Sequence, residues 1–276
     1  MRTIREFAFF AFFALLPVTS ACAQQKLMVG NGQAIMSDGW ADSVAVYRER
    51  ARQGEVEAYR KLAWCYENGI GVDANFINMM YLYERADYMS GKRPHYYFRK
   101  SRLGQMLEEM ERKYQDNDSI GATEISTRIN KEWPSFLWMM KVMNTGDKKE
   151  LIHILEPEAR KGEKVTRLVL ASLAADSVCT DACVSELEEV ATYAPMVYNR
   201  LGQIYMGHPD STQTDIDRAI GYFRRADEYA MLSQKGAISL LECYRIKMEK
   251  GEKPCDEMEL SRLRRLSEYR KSAEME

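Results

Sequence analysis

One stretch of this chain occurs twice. Residues 58–86 read AYRKLAWCYENGIGVDANFINMMYLYERA, and residues 197–226 read VYNRLGQIYMGHPDSTQTDIDRAIGYFRRA. Leu62, Ala63 and Tyr66 match Leu201, Gly202 and Tyr205. Across a loop one residue longer in the second copy, Met79, Tyr83, Ala86 and Asp87 match Ala219, Phe223, Ala226 and Asp227. In each copy apolar residues recur three and four apart, stop at a polar or glycine-containing turn, and resume, which is the pattern of a helix hairpin. A hairpin this small cannot bury its apolar face alone, so a repeated one implies a stack in which each unit packs on the next. Equivalent positions lie 139 residues apart (Leu62 to Leu201). That is room for several further units of about 30–45 residues.

The rest of the chain follows the same grammar. Residues 24–40 carry three Gly and little periodicity and read as a flexible linker. Asp42-Ser43 opens a first helix with Val44, Tyr47 and Ala51 on one face, ending near Gly54. In the first copy Gly69 and Gly71 end helix A, and Asn75 stands where helix B needs an N-cap; Asp215 holds the matching place in the second copy. Ala58, Ala86, Ala219, Ala226 and Gly202 are small enough for helices to approach closely. Residues 92–115 read as one long helix, 116–121 as a polar break and 123–132 as a shorter helix. Phe136–Met143 pairs with Lys148–Arg160, Val165–Ala175 with Val184–Tyr193, and Gln234–Lys250 with Asp256–Ala273. Hairpin starts near 56, 94, 135, 164, 196 and 235 give about six units over 41–276. The expected fold is all-α, a right-handed α-α superhelix, since seven Pro and few alternating β-branched runs leave little material for a sheet.

With those residues in view, the chain resembles the Sel-one-like repeat, a relative of the tetratricopeptide repeat. Ala58, Leu62, Ala63, Tyr66, Gly69, Gly71, Val72, Asn75, Met79, Tyr83 and Ala86 carry the first match. Leu201, Gly202, Tyr205, Gly207, Asp215, Ala219, Phe223 and Ala226 carry the second. Met79 departs from the family's Ala, and GHPDSTQT replaces the family's Gly-x-Gly-Val turn; both imply looser hairpin packing. About 60 residues bear the motif. The resemblance implies an α-solenoid that acts as an adaptor or assembly scaffold, often in exported or membrane-associated bacterial proteins, and it implies no catalytic residues.

The first 23 residues stand apart from the stack. Arg2 and Arg5 precede the apolar run Phe7–Leu16, then Pro17 and small residues follow, the order of a secretory signal peptide. Ten apolar residues (7–16) are too few to span a bilayer, which takes about 20. Two cleavage sites fit. Ala21-Cys22-Ala23 suits cleavage before Gln24, whereas Thr19-Ser20-Ala21-Cys22 resembles a bacterial lipoprotein signal that makes Cys22 the acylated first residue. Both place the mature protein outside the cytoplasm, in the periplasm, either soluble or lipid-anchored. The charge is balanced, 39 basic against 41 acidic residues, which disfavours a nucleic-acid partner.

Few residues carry chemistry. Beyond the signal, Cys65, Cys179, Cys183, Cys243 and Cys255 remain, with Cys179–Cys183 and Cys243–Cys255 placed for local disulfides and reduced, packed thiols as the competing reading. A zinc site would need a second close ligand pair. His153 and Glu156 could share a helix face, yet two ligands are an incomplete site; His208-Pro209-Asp210 reads as a turn. No nucleophile elbow, phosphate-binding glycine loop or zinc-protease helix occurs, so the expectation is a non-enzymatic protein with no cofactor and no metal.

A binding surface is what remains. At 100° per residue, Trp64 points away from the Leu62–Tyr66 stripe with Arg60 one turn before it; Asn199 and Gln203 are the equivalents in the second copy. Trp and Arg are frequent binding anchors. These four residues are the candidate contacts for a protein or peptide partner in the cell envelope, held on the concave helix A face. The alternative is a glycan-binding or enzyme-accessory module built on the basic–aromatic segment 92–102 (KRPHYYFRKSR).

Overall fold

The computed structural model describes residues 28–29, 33–34, 38–133, 136–143, 148–162, 164–175, 180–207 and 213–268. Fourteen helices follow one another among these residues: α1 (Asp38–Arg52), α2 (Val56–Asn68), α3 (Phe76–Met89), α4 (Tyr96–Arg99), α5 (Arg102–Gln115), α6 (Ser119–Glu132) and α7 (Phe136–Met143). The series continues with α8 (Lys148–Arg160), α9 (Lys164–Ala175), α10 (Asp181–Ala191), α11 (Val197–Met206), α12 (Gln213–Glu228), α13 (Gln234–Glu249) and α14 (Glu257–Glu268). The only other regular structure described is a two-residue antiparallel ladder, β1 (Met28–Val29) with β2 (Gln33–Ala34). Consecutive helices pack on their neighbours, the arrangement of an α-solenoid.

The two copies found in the sequence are the hairpins α2–α3 and α11–α12. Asn75 caps α3 as expected, its side chain accepting the N–H groups of Ile77 and Asn78. Gly69 ends α2 in the left-handed conformation (φ 65°), its N–H donated to the Cys65 carbonyl. Leu62, Met79 and Ala86 are fully buried, as are Leu201, Ala219, Phe223 and Ala226. A β-carbon on Gly202 would lie 2.6 Å from the Phe223 ring, so a side chain larger than hydrogen cannot sit at that crossing.

Four boundaries differ from expectation, the first being α6, which begins at Ser119 inside the segment read as a polar break because Asp118 caps it by accepting the Gly121 N–H. Residues 92–115 form two helices, not one, because Ser101 caps α5 by accepting the Gly104 N–H and so breaks the run. The second-copy helix begins at Gln213, which puts Asp215 inside its first turn instead of at its N-cap. The first helix begins at Asp38, inside the segment read as linker. In the middle of the chain, α8 packs chiefly on α9 and only lightly on α7, so the pairing of 136–143 with 148–160 is the weaker of the two.

The stack is also tied back on itself, which the sequence did not announce. α3 is buried on nearly every side, and its polar residues reach the far part of the chain. Asn75 and Asn78 both donate to the Tyr193 carbonyl, at 3.0 and 3.2 Å. The Tyr81 hydroxyl donates to the Met231 carbonyl at 2.9 Å, and the Tyr88 hydroxyl to Gln234 at 2.5 Å. α1 lies against α12, with the Arg48 guanidinium 5.3 Å from the Tyr229 ring centre. At its end Arg52 and Arg262 converge on buried Asp227: the nitrogens of Arg52 lie 2.9 and 3.1 Å from Oδ2, and those of Arg262 lie 2.7 and 3.0 Å from the two oxygens. The first and second copies are therefore neighbours in space.

Candidate functional site

The two surface features singled out in the sequence meet. The corner after α3 decides this, and two buried carboxylates of the first hairpin build it. Asp87, 1% exposed, accepts the Tyr97 N–H at 2.9 Å. Glu67, 3% exposed, accepts the Leu103 N–H at 3.0 Å at the start of α5, and the Tyr83 hydroxyl donates to its other oxygen. Donors exposed at a helix start favour a negative group there. Burial nevertheless dominates both acids: it raises Glu67 above the usual carboxylate range and pushes Asp87 up to about 6, against the lowering effect of the backbone N–H groups. Gly104 completes the corner, since a β-carbon there would stand 2.1 Å from the Phe98 carbonyl oxygen.

Held this way, α4 lies beside α2. The Arg60 guanidinium stacks 4.6 Å from the centre of the Tyr97 ring. Tyr96 meets Tyr97 edge to face at 5.1 Å. Lys100 lies 4.1 Å and Lys92 5.5 Å from the Tyr96 ring centre, and Lys100 also donates to the Tyr96 hydroxyl. That hydrogen bond, with the charges of Lys100, Lys92 and Arg60, lowers the Tyr96 phenol below its ordinary pKa. Trp64, one turn beyond Arg60, is 42% exposed. Arg93 and Arg99 are exposed and make no salt bridge among the described residues, while Arg60 pairs with Glu57 on its own helix. Phe98 is the one aromatic of the segment that turns into the core. His95 is pushed down to about 4, by burial first and the Arg99 charge second, so at neutral pH it is an uncharged ring.

The candidate residues in the second copy fare differently. Asn199 is a correction: it is buried, its amide donating to the Met196 and Met231 carbonyls and accepting the Ser233 N–H, so it fastens α11 to the chain after α12 and offers nothing to a partner. The place it shares with Arg60 has one geometric role in both copies, contact with the segment that follows helix B. Arg60 makes that contact at the surface and Asn199 makes it inside. Gln203 is half-buried. Nearby, Tyr198, Tyr222 and Tyr205 stack on one another at 6.2 and 5.5 Å.

The cysteine expectation is also corrected for one pair. Cys243 is buried and Cys255 half-buried, and both are free thiols, as are Cys65 and Cys183. The Cys183 thiol donates to the Ala171 carbonyl at 3.6 Å. Burial pushes Cys65 and Cys243 up to about 11, far from the range of a reactive thiolate. Cys22, Cys179 and His208 lie outside the described residues. His153 is exposed on α8, and its proposed companion Glu156 pairs with Arg160. Among the described residues no three His, Cys, Asp or Glu side chains converge as metal ligands, and no helix is long and apolar enough to cross a membrane.

Two shallow clefts lie elsewhere among the described residues. One, about 420 Å³, lies between α8, α9 and α10, where Arg167 is neutralised by Glu186 and Glu189. The other, about 240 Å³, adjoins the Asp227 cluster. The second also holds an arginine over an aromatic ring, Arg224 5.5 Å from the centre of Tyr244, but that tyrosine is buried.

No protein-family model, curated protein or solved structure matches this chain. The reading of function therefore rests on the residues themselves.

Proposed function

We propose that this is an exported, non-enzymatic binding protein of the cell envelope, a right-handed Sel-one-like solenoid that holds a protein or peptide partner on the α2–α4 face. The observation that carries the reading is the stacking of Arg60 on Tyr97, which joins the Arg60–Trp64 pair and the 92–102 segment into one exposed basic–aromatic surface. Two buried carboxylates fix that surface before any partner arrives, so binding loses little to ordering the site. The charged, apolar and small-residue order of residues 1–23 supports export, with Cys22 as the acylation site if the lipoprotein signal is used. The partner contacts are Arg60 and Trp64, joined by Lys92, Tyr96 and Lys100.

A second reading takes the same face as a site for an anionic glycan. It draws on residues 88–107, which hold five Lys or Arg and no Asp or Glu. The test of the binding reading is affinity capture from envelope extract with the intact chain and with a Trp64→Ala, Lys100→Glu double variant. A defined protein retained by the first and lost by the second supports the proposal. Equal recovery by both removes this face from consideration.

A further inference from the structure

We infer that Tyr222 is a redox-active tyrosine, which gives one electron to an oxidant such as a peroxidase intermediate or a metal(III) complex while the Glu188 carboxylate takes its phenolic proton. The site is separate from the α2–α4 face and lies where α10, α11 and α12 meet. Tyr198 and Tyr205 stand seven residues apart on α11, two helical turns or about 10 Å. Tyr222 of α12 enters between them. Its ring centre lies 6.2 Å from that of Tyr198 and 5.5 Å from that of Tyr205, at interplanar angles of 19° and 21°. Arg218 and Arg225 stand four residues before and three after Tyr222, on the same side of α12. Each covers one flanking ring, Arg218 at 5.4 Å from the centre of Tyr205 and Arg225 at 5.7 Å from that of Tyr198. Among the described residues no cation lies over Tyr222 itself.

Those positions rank the three rings. A guanidinium against a ring repels the positive charge that electron loss would place there, so Tyr198 and Tyr205 are the harder ones to oxidise. Tyr222 has a proton acceptor instead, its hydroxyl donating to Glu188 of α10. Burial first, and the Glu188 hydrogen bond and charge after it, raise the Tyr222 phenol above its ordinary pKa. Tyr222 is therefore a neutral phenol at neutral pH, and its proton must leave with the electron. The carboxylate already stands within hydrogen-bond reach, as a general base must. In the step the phenolic O–H bond breaks, the electron passes to the oxidant, and the proton converts the Glu188 carboxylate to the acid. A neutral phenoxyl radical is left on Tyr222, and a one-electron reductant of the thiol class returns it to the phenol as the proton runs back. Tyr83 also donates to a carboxylate, Glu67, but at 3.3 Å and with both groups buried, out of reach of an oxidant in solution. Tyr222 is half-buried and Glu188 exposed, so electron and proton both have a way out. Accessibility alone would select other rings, since Tyr114 is 57% and Trp64 42% exposed.

The test is flash oxidation of the intact chain by photogenerated tris-bipyridine ruthenium(III), followed through the phenoxyl absorption band. A nitroso spin trap with mass spectrometry locates the radical in parallel. We expect a fast phenoxyl phase that slows in deuterated buffer, with trap adducts on Tyr222. Tyr222→Phe, which keeps the ring stack but lacks the hydroxyl, should remove that phase. Glu188→Gln, at an exposed position on α10, should slow it on the order of 100-fold, because a positioned base is lost. Tyr114→Phe serves as the control and should leave the phase unchanged. Adducts concentrated on Tyr114 or Trp64, or a phenoxyl phase indifferent to Glu188→Gln, would overturn the assignment. Neither result touches the binding reading above, which capture from envelope extract tests separately.

Discussion

Replacing Asp227 by Asn should loosen the joint that ties α1 to α12 and α14. Asp227 and Arg262 are both buried, with side chains 6% and 4% exposed, and their two hydrogen bonds at 2.7 and 3.0 Å form a bidentate pair. Removing one partner of such a pair costs about 3–5 kcal/mol, because the other is left charged and dry. Arg262 retains Glu259, which is 26% exposed, so the lower end applies, about 3 kcal/mol. Arg52 is 28% exposed and adds at most about 1 kcal/mol. Against a total stability of about 5–15 kcal/mol, that loss is readily measured by urea denaturation followed by circular dichroism. The companion experiment replaces both charges, Asp227→Leu with Arg262→Met. With no charge left both buried and unpaired, since Glu259 is 26% exposed and Arg52 keeps Glu49, the double variant should cost less than Asp227→Asn alone, apart from about 1 kcal/mol for the lost hydrogen bond from Arg262 to the Arg52 carbonyl. A loss below about 1 kcal/mol for Asp227→Asn, or strict additivity of Asp227→Leu and Arg262→Met, would refute the reasoning.

Other consequences can be checked singly. Burial, assisted by the nearby Asp87 charge, pushes Glu84 up to about 8 from an ordinary 4.5, and its Oε2 has no hydrogen-bond partner. The folded state thus favours the protonated acid, so stability is highest below pH 4.5 and declines as pH rises towards 8. Glu84→Gln should remove that slope and gain about 3 kcal/mol at pH 7 with little change at pH 4, as read from denaturation midpoints across pH. Gly104→Ala forces a β-carbon against the Phe98 carbonyl and should cost about 3 kcal/mol while shifting the Tyr96 and Tyr97 resonances. In the native protein Cys255 should react with a thiol reagent before Cys65 and Cys243, which should label only on unfolding; mass spectrometry showing a Cys243–Cys255 bridge contradicts this.

The helices were legible because their signals are local. The Leu62–Tyr66 stripe, the Asn75 cap and the Gly69 stop each act within a few residues, and each lies where its spacing predicts. The break between α4 and α5 was partly legible: Ser101 three residues before Gly104 is a capping pattern, masked by the apolar periodicity on either side. The closure was not legible. Asn75 and Tyr193, Tyr81 and Met231, and Arg52 and Asp227 are 118, 150 and 175 residues apart, and a lone polar residue has no period to betray its partner. One hint existed. An Asp stands at the same place in both copies, 87 and 227, yet Asp87 holds the α4 corner and Asp227 binds two arginines. Asn199 was misread because helical phase alone put it on the outer face of α11. The chain that returns after α12 covers that side.

The most direct test of the binding surface is site-specific photo-crosslinking in the living cell. A benzophenone side chain at position 64 should give one defined adduct, which disappears when Lys92 and Lys100 are changed to Glu. The same probe at Ile120 should give none. Adducts from position 120 but not from 64, or adducts from 64 untouched by reversing those two charges, would contradict the assignment of the α2–α4 face.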